Sequence, residues 1–191
     1  MAPRFQARPL TPRTWGDLEE LFGRPGGSIV RGCWCMYYRR SGKSPAGTVN
    51  KRELCALVEA GERPGLVGYS GETPVGWISL GPREGYAKLR RSPIMKPVDE
   101  EDVWSIVCTF VDKAYRGKGL QYRLLRAGVD FARENGVRLL EAYPVDKPGR
   151  SHDDFMFFGS RALYEKAGFY EVVRRSPTRI VMRRRLRPAA G

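Results

Sequence analysis

Apolar positions change period from segment to segment, and the changes divide the chain into alternating strands and helices. A short strand in "FQARPL" leads to a helix whose apolar face is Trp15, Leu18, Leu21 and Phe22. Thr11 is placed to cap that helix, with Pro12 at its first position. Residues 24–32 are glycine-rich and read as a loop, and "CWCMYYRR" (33–40) reads as an extended aromatic segment. A second helix spans 48–61 and stops at Gly61. Two strands, 64–69 and 75–81, flank the hairpin-type turn "SGETP", and "EGYAKLRRS" gives a helical turn. The run "DVWSIVCTFV" (102–111) is the most strand-like in the chain and leads through a glycine turn into a helix at 119–134, closed by Asn135-Gly136. A strand in "VRLLEAYPV", a short helix in "SRALYEKAGF" stopped by Gly168, and strands near 169–175 and 178–186 follow. No repeat or linker interrupts the pattern, so residues 1–191 are expected to form one α/β domain, with 187–191 as a flexible tail.

Composition narrows the class. The 191 residues suit one sizeable core, and 41% hydrophobic with 29% charged residues is ordinary for a soluble domain. No stretch approaches the roughly 18 apolar residues of a membrane span. The start "MAPRFQARPL" is basic but has no apolar run after it, so no signal peptide is expected and the cytoplasm is the expected compartment. Cys33, Cys35, Cys55 and Cys108 read as free thiols. Cys33 and Cys35 form C-x-C, but His152 is the only histidine and no second cysteine pair follows, so no metal site is expected. The net charge of +13 could point to nucleic acid, yet residues 174–187 alone hold seven arginines and no acid. Charge concentrated in one terminal segment fits a solvated strand and tail better than a reader of bases, and nucleic acid is disfavoured as a partner.

The chemistry concentrates at "AYRGKGLQYRLL" (114–125). Glycines at the mouth of a helix let a ligand approach the backbone, and the exposed N–H groups of the first turn favour an anion. Arg116 and Lys118 add full charges, so the turn reads as a phosphate cradle. The P-loop pattern G-x-x-x-x-G-K-[ST] is absent, and G-K-G followed by Leu120, Gln121 and Tyr122 does not complete a dinucleotide fingerprint. The remaining pattern is a strand, then [RQ]-x-x-G-x-[GA], then a helix. Arg116-Gly117-Lys118-Gly119-Leu120-Gln121, preceded by "WSIVCTFVDKAY", resembles the acyl-CoA-binding motif of the GNAT superfamily of N-acyltransferases. Gln121 stands where glycine or alanine is usual, so its side chain has to turn away from the cofactor. "ALYEKAGF" (162–169) resembles the later helix of that superfamily, with its L-Y-x-x-x-G-F ending.

The resemblance implies a mixed, mostly antiparallel central sheet flanked by helices, with acyl-CoA at the strand, glycine loop and helix. It implies backbone contacts from Thr109, Phe110 and Val111 to the pantetheine arm, and a pyrophosphate held by Arg116, Gly117, Lys118, Gly119, Leu120 and Gln121. It puts Tyr164 beside the cofactor sulfur, where a phenol of pKa about 10 stays protonated near neutral pH and can donate to the leaving thiolate. The acceptor amine has to lose a proton. Glu84, Asp102 and Glu141 are the carboxylates on the expected acceptor side, with Glu141 taken as the catalytic base and Glu84 as an acceptor contact. Trp34 and Tyr37, after the first helix, are candidate walls of the acceptor pocket, able to stack on a flat or cationic group. Cys108, inside an apolar strand, reads as packing. In the irregular stretch 144–158, His152 and Asp153 are candidate substrate contacts.

The activity expected on this reading is acetyl transfer from acetyl-CoA to a primary amine of a small molecule, directly and within a ternary complex. Transfer to a protein lysine or aminoacyl-tRNA, with the arginine-rich end as docking surface, and a non-catalytic CoA- or nucleic-acid-binding module are the rivals. A homodimer is compatible with the resemblance.

Overall fold

Among the residues described by the computed structural model (4–43, 45–147 and 157–187), seven strands form one sheet. They are β1 (Phe5–Pro9), β2 (Gly65–Ser70), β3 (Thr73–Pro82), β4 (Trp104–Val111), β5 (Leu139–Ala142), β6 (Tyr170–Ser176) and β7 (Arg179–Arg185). The order across the sheet is β1-β2-β3-β4-β5-β7-β6, antiparallel at every junction except β4–β5. A parallel pair needs a crossover. Helix α5 (Leu120–Glu134) supplies it.

The remaining helices are α1 (Trp15–Gly23), α2 (Ser28–Cys33), α3 (Gly47–Glu59), α4 (Ala87–Arg91) and α6 (Arg161–Lys166). Alternation along the strands sends neighbours to opposite faces. Val67, Tyr69 and Trp77 pack with Leu18, Leu21 and Phe22 of α1 and with Leu54 and Val58 of α3. Leu66, Ile78 and Leu80 pack on the other face with Leu124, Leu125 and Val129 of α5 and Tyr164 of α6. Helix α5 lies unusually close to the sheet because glycine faces it: a Cβ on Gly76 would sit 2.6 Å from Leu124, and one on Gly128 2.9 Å from Ile78. This is the mixed, mostly antiparallel sheet with flanking helices that the family resemblance implied.

Three local expectations are corrected. The glycine-rich stretch 24–32 contains the short helix α2, whose Val30 is buried and whose Gly32 carbonyl accepts from the buried Asn50 side chain at 2.8 Å. The segment 33–40 is not extended. It turns sharply, with Trp34 and Cys35 in the left-handed region at φ 45° and 53°. Thr11 does not cap α1, which begins at Trp15 after a turn in which the Thr14 hydroxyl donates to the Pro9 carbonyl at 2.9 Å.

Candidate active site

The site starts from an irregularity in β4. Ile106 pairs with Leu80 and Cys108 with Ser79, leaving Val107 as a bulge. Pairing with β5 ends at the same place, at Ile106 and Ala142. A bulge bends its strand and shifts the alternation of side chains by one residue. Ile106 accordingly packs on the α5 face, whereas Val107 and Cys108 both line a cavity on the opposite side. Beyond Ile106, β4 is paired only on its β3 side, so the stretch Thr109–Val111 has an edge that β5 does not cover.

The strand runs into the glycine turn. The Asp112 carboxylate accepts from the Ala114 amide at 2.9 Å and pairs with Arg24 at 3.0 Å, which fixes where the turn begins. Gly117 and Gly119 take φ of 75° and 71°, a conformation that side-chain-bearing residues rarely adopt, and nothing lies within 4 Å of where a Cβ would stand on either. Arg116 through Gly119 are exposed. The Arg116 Nε donates to the Val111 carbonyl at 3.0 Å, and the Lys118 ammonium lies over the Tyr115 ring at 5.0 Å, so both cations are gathered at the turn. No side chain caps α5. Its first amides and the positive end of its dipole therefore open onto a cationic, glycine-lined surface suited to an anion.

Gln121 does turn away. Its amide donates to the Thr109 hydroxyl at 2.8 Å, and that hydroxyl donates to the Phe157 carbonyl at 3.1 Å. Gly159 sits where these parts meet: a Cβ there would lie 3.1 Å from the Tyr164 ring and 3.5 Å from the Gln121 amide. Tyr164 is thus next to the start of α5. It is fully buried, stacks edge-on with Phe169 at 5.1 Å, and its hydroxyl has no hydrogen-bond partner among the described residues. Burial pushes its pKa up, with the neighbouring Cys108 adding to the shift, so the phenol keeps its proton.

The cavity beside Cys108 has a volume of about 470 Å³. Tyr37, Tyr38, Phe157 and Phe158 give it aromatic walls, Cys33 and Cys35 contribute thiols, and Arg179 gives it a cation. Hydrogen bonding to a neighbouring thiol and burial push both Cys33 and Cys35 upward, which keeps them protonated. The left-handed Trp34-Cys35 pair is held in place by the Trp77 indole, which donates to the Cys35 sulfur at 3.0 Å. Backbone strain of this kind accumulates at sites where the surroundings over-determine the geometry.

Tyr37 lines this cavity, with the Lys88 ammonium 3.4 Å from its ring centre. Trp34 goes elsewhere: it is 5% exposed and packed between Trp15 and Phe22, part of the core. Glu84 is exposed on the 3-10 turn after β3, and Asp102 is exposed ahead of β4. His152 and Asp153 lie outside the described residues, as do residues 188–191 of the expected tail.

Glu141 is fully buried with both carboxylate oxygens engaged. Arg183 donates to one oxygen at 2.8 Å and the Tyr143 hydroxyl to the other at 2.8 Å, while Arg83 lies 3.8 Å away. Arg183 in turn grips Asp99 with two nitrogens. Four more arginines of this end are occupied too. Arg174 pairs with Asp146 and Glu171, Arg185 with Glu101, and Arg175 and Arg184 donate to backbone carbonyls. Arg179 differs, lying 5.2 Å from the centre of the Phe158 ring. Sequence reasoning did not single out Arg179, because nothing local distinguishes it from the other arginines of the run. Tyr38, Phe157 and Phe158 were missed for a related reason: only the fold brings them to one cavity.

The family model described as "Acetyltransferase (GNAT) family" matches residues 33–169. No curated protein is significantly similar in sequence. Among solved structures, an acetyltransferase from Thermus thermophilus is 20% identical with a TM-score of 0.54, over 97% of this chain and 100% of that one. A mosquito arylalkylamine N-acetyltransferase-like protein (5b) is 15% identical with a TM-score of 0.61, over 96% and 100%. The PaiA N-acetyltransferase of Thermoplasma acidophilum, solved in complex with coenzyme A, is 14% identical with a TM-score of 0.53, over 96% and 99%. At these identities the likeness concerns the fold.

Proposed function

Since the chain belongs to the acetyltransferase (GNAT) family, we propose that it carries the acetyl group of acetyl-CoA directly to a primary amine of a small molecule, within a ternary complex. The observation that carries this reading is the Tyr164 hydroxyl, buried without a partner beside the first turn of α5. A buried hydroxyl left unpaired costs about 1–3 kcal/mol, and such an atom at the edge of a site marks a place where a ligand completes the bonding.

The residues present fit acetyl-CoA. The backbone amides of 117–121, with Arg116 and Lys118, would hold the pyrophosphate, and the uncovered edge at Thr109, Phe110 and Val111 would run along the pantetheine arm. When bound, the thioester supplies the activated acyl group. Tyr164 then holds a proton in a dry setting for the departing sulfur, which otherwise leaves as a poorly stabilised thiolate.

The amine side is read from the cavity. Among the described residues no carboxylate lines it, and the aromatic walls with Arg179 favour the neutral form of an amine. Deprotonation at pH 7 costs roughly 4–5 kcal/mol for a lysine-like amine of pKa about 10.4, and about 1 kcal/mol for an α-amine of pKa about 8. An acceptor near the lower value needs no dedicated base, and Glu141, closed in by Arg183 and Tyr143, is given none of that work. A cavity of about 470 Å³ suits a small molecule. The internal pairing of the arginine-rich end speaks against a docking surface for RNA.

Initial rates of thiol release, measured with acetyl-CoA and a panel of amines, test the proposal. Intersecting double-reciprocal lines are expected for a ternary complex; parallel lines would replace direct transfer with an acyl-enzyme. Gly119→Asp should weaken acetyl-CoA binding at least about tenfold by calorimetry, since the side chain brings a charge to the anion site and strains a left-handed position. Unchanged affinity would remove the pyrophosphate from this turn.

A further inference from the structure

Resting on the acetyltransferase reading, we infer that the acceptor combines its amine with a flat apolar body and a carboxylate, and that Arg179 receives that carboxylate. The chemical class is the arylalkyl amino acid.

The flat body follows from the walls. Tyr37, Tyr38, Phe157 and Phe158 supply four aromatic side chains to one cavity of about 470 Å³. The rings of Tyr37 and Tyr38 stand at 84° with centroids 4.9 Å apart, and Tyr38 meets Phe158 at 67° and 5.5 Å. Rings set at steep angles leave faces and edges available to a planar guest.

The carboxylate follows from Arg179. Arg174, Arg175, Arg183, Arg184 and Arg185 are neutralised or bonded to backbone within the protein, whereas Arg179 rests on the Phe158 ring and faces the cavity. Among the described residues no carboxylate lies within ion-pair distance of it. A guanidinium lying on a ring keeps its in-plane N–H donors free, and their fork matches a carboxylate bidentately. Lys88, over the outer ring Tyr37, adds a second positive charge at the rim. The protein as a whole carries +13, and such a field attracts anions and repels polycations. A polyamine would bring several positive charges to a cavity whose described charged side chain is a guanidinium. An amino acid brings one negative charge to meet it, and its amine, losing its proton, is left neutral among rings.

Calorimetry on the CoA-saturated protein with two matched pairs, phenylalanine against phenethylamine and tryptophan against tryptamine, isolates the carboxylate. Spermidine serves as the polycation. The amino acid of at least one pair should bind about tenfold or more tighter than its decarboxylated partner, with spermidine weakest. In Arg179→Gln the ratio within that pair should collapse toward one, and in Arg179→Lys it should survive in part. Because the ratio is taken within one protein, a general loss of stability in a variant does not imitate the result. Equal binding within both pairs, tighter binding of the decarboxylated amines or of spermidine, or no binding by any probe would overturn the inference. Thiol release from acetyl-CoA keeps the two readings apart. Efficient acetylation of phenethylamine without a carboxylate preference upholds the enzyme and removes this acceptor class. Carboxylate-dependent binding with no transfer to any amine upholds the class and removes the enzyme.

Discussion

Glu141 and Tyr164 are equally hidden from solvent, yet the protein treats their polar atoms in opposite ways. The Glu141 carboxylate is answered on every side, by Arg183, Tyr143 and, more distantly, Arg83. The Tyr164 hydroxyl is answered by nothing among the described residues. A buried charge has to be paired or the fold fails, so a complete network says that a residue holds the structure together. A buried hydroxyl that stays unpaired costs stability with no return within the protein, and the proposed reaction gives the Tyr164 hydroxyl a ligand to meet. Burial alone does not separate these two groups; the state of their hydrogen bonds does.

The largest expected effect tests the unanswered side. Tyr164→Phe keeps the ring and its contact with Phe169, so turnover should fall about 10²–10⁴-fold while the KM for acetyl-CoA stays near its starting value. The variant should also melt at or above the parent temperature, because it sheds an unpaired polar atom. Unchanged turnover would return Tyr164 to plain core packing.

The answered side is tested by Glu141→Ala, which removes the buried carboxylate from the nearly inaccessible Arg183 guanidinium, leaves it only the partly exposed Asp99 as a close partner, and opens a void. A loss of about 3–5 kcal/mol in chemical denaturation is expected. Glu141→Gln sharpens the point by keeping shape and removing charge. If the glutamine variant kept full stability and lost turnover, Glu141 would move from scaffold to catalytic base and the contrast would collapse.

The smallest effect concerns the exposed end of the same network. The hydrogen bond from Arg183 holds the Asp99 carboxyl down at about 2, against an ordinary value near 3.8. A depressed carboxylate pKa means that the contribution is complete above about pH 4 and is lost as pH falls toward 2. Asp99 is partly exposed, so solvent screens the pair and the effect is modest. Denaturation midpoints should be flat near neutrality and decline across that window, and Asp99→Asn should flatten the decline. Identical slopes in the two proteins would detach Asp99 from the network.

The contrast also marks how far the sequence could be read. Most strands and helices were legible because their periods are local, and the strand, glycine turn and helix around 102–134 carried their chemistry in adjacent residues. Tyr164 was singled out through its motif. The network around Glu141 could not be read because its partners are far along the chain: Arg183 lies 42 residues away in sequence, and joins it to Asp99, 84 residues from Arg183. Helix α2 was hidden by its glycines and is held by tertiary contacts, the Asn50 bond among them. Trp34 and Tyr37 looked alike as aromatic candidates, and only the left-handed turn between them decides that one enters the core and the other the cavity.

That turn has a counterpart in the bulge at Val107. Strand β4 is in effect written in two reading frames. Up to Ile106 the even positions belong to the α5 face; from Cys108 onward the even positions belong to the opposite face, as Cys108 and Phe110 show. One extra residue is the frame shift. Deleting Val107 would restore plain alternation and leave Ile106, Cys108 and Thr109 on the sides they now occupy, so what the extra residue adds is a second consecutive wall: Val107 and Cys108 both reach the cavity where a regular strand would offer one side chain. Length at this one position is therefore as much a part of the site as the identity of any residue in it.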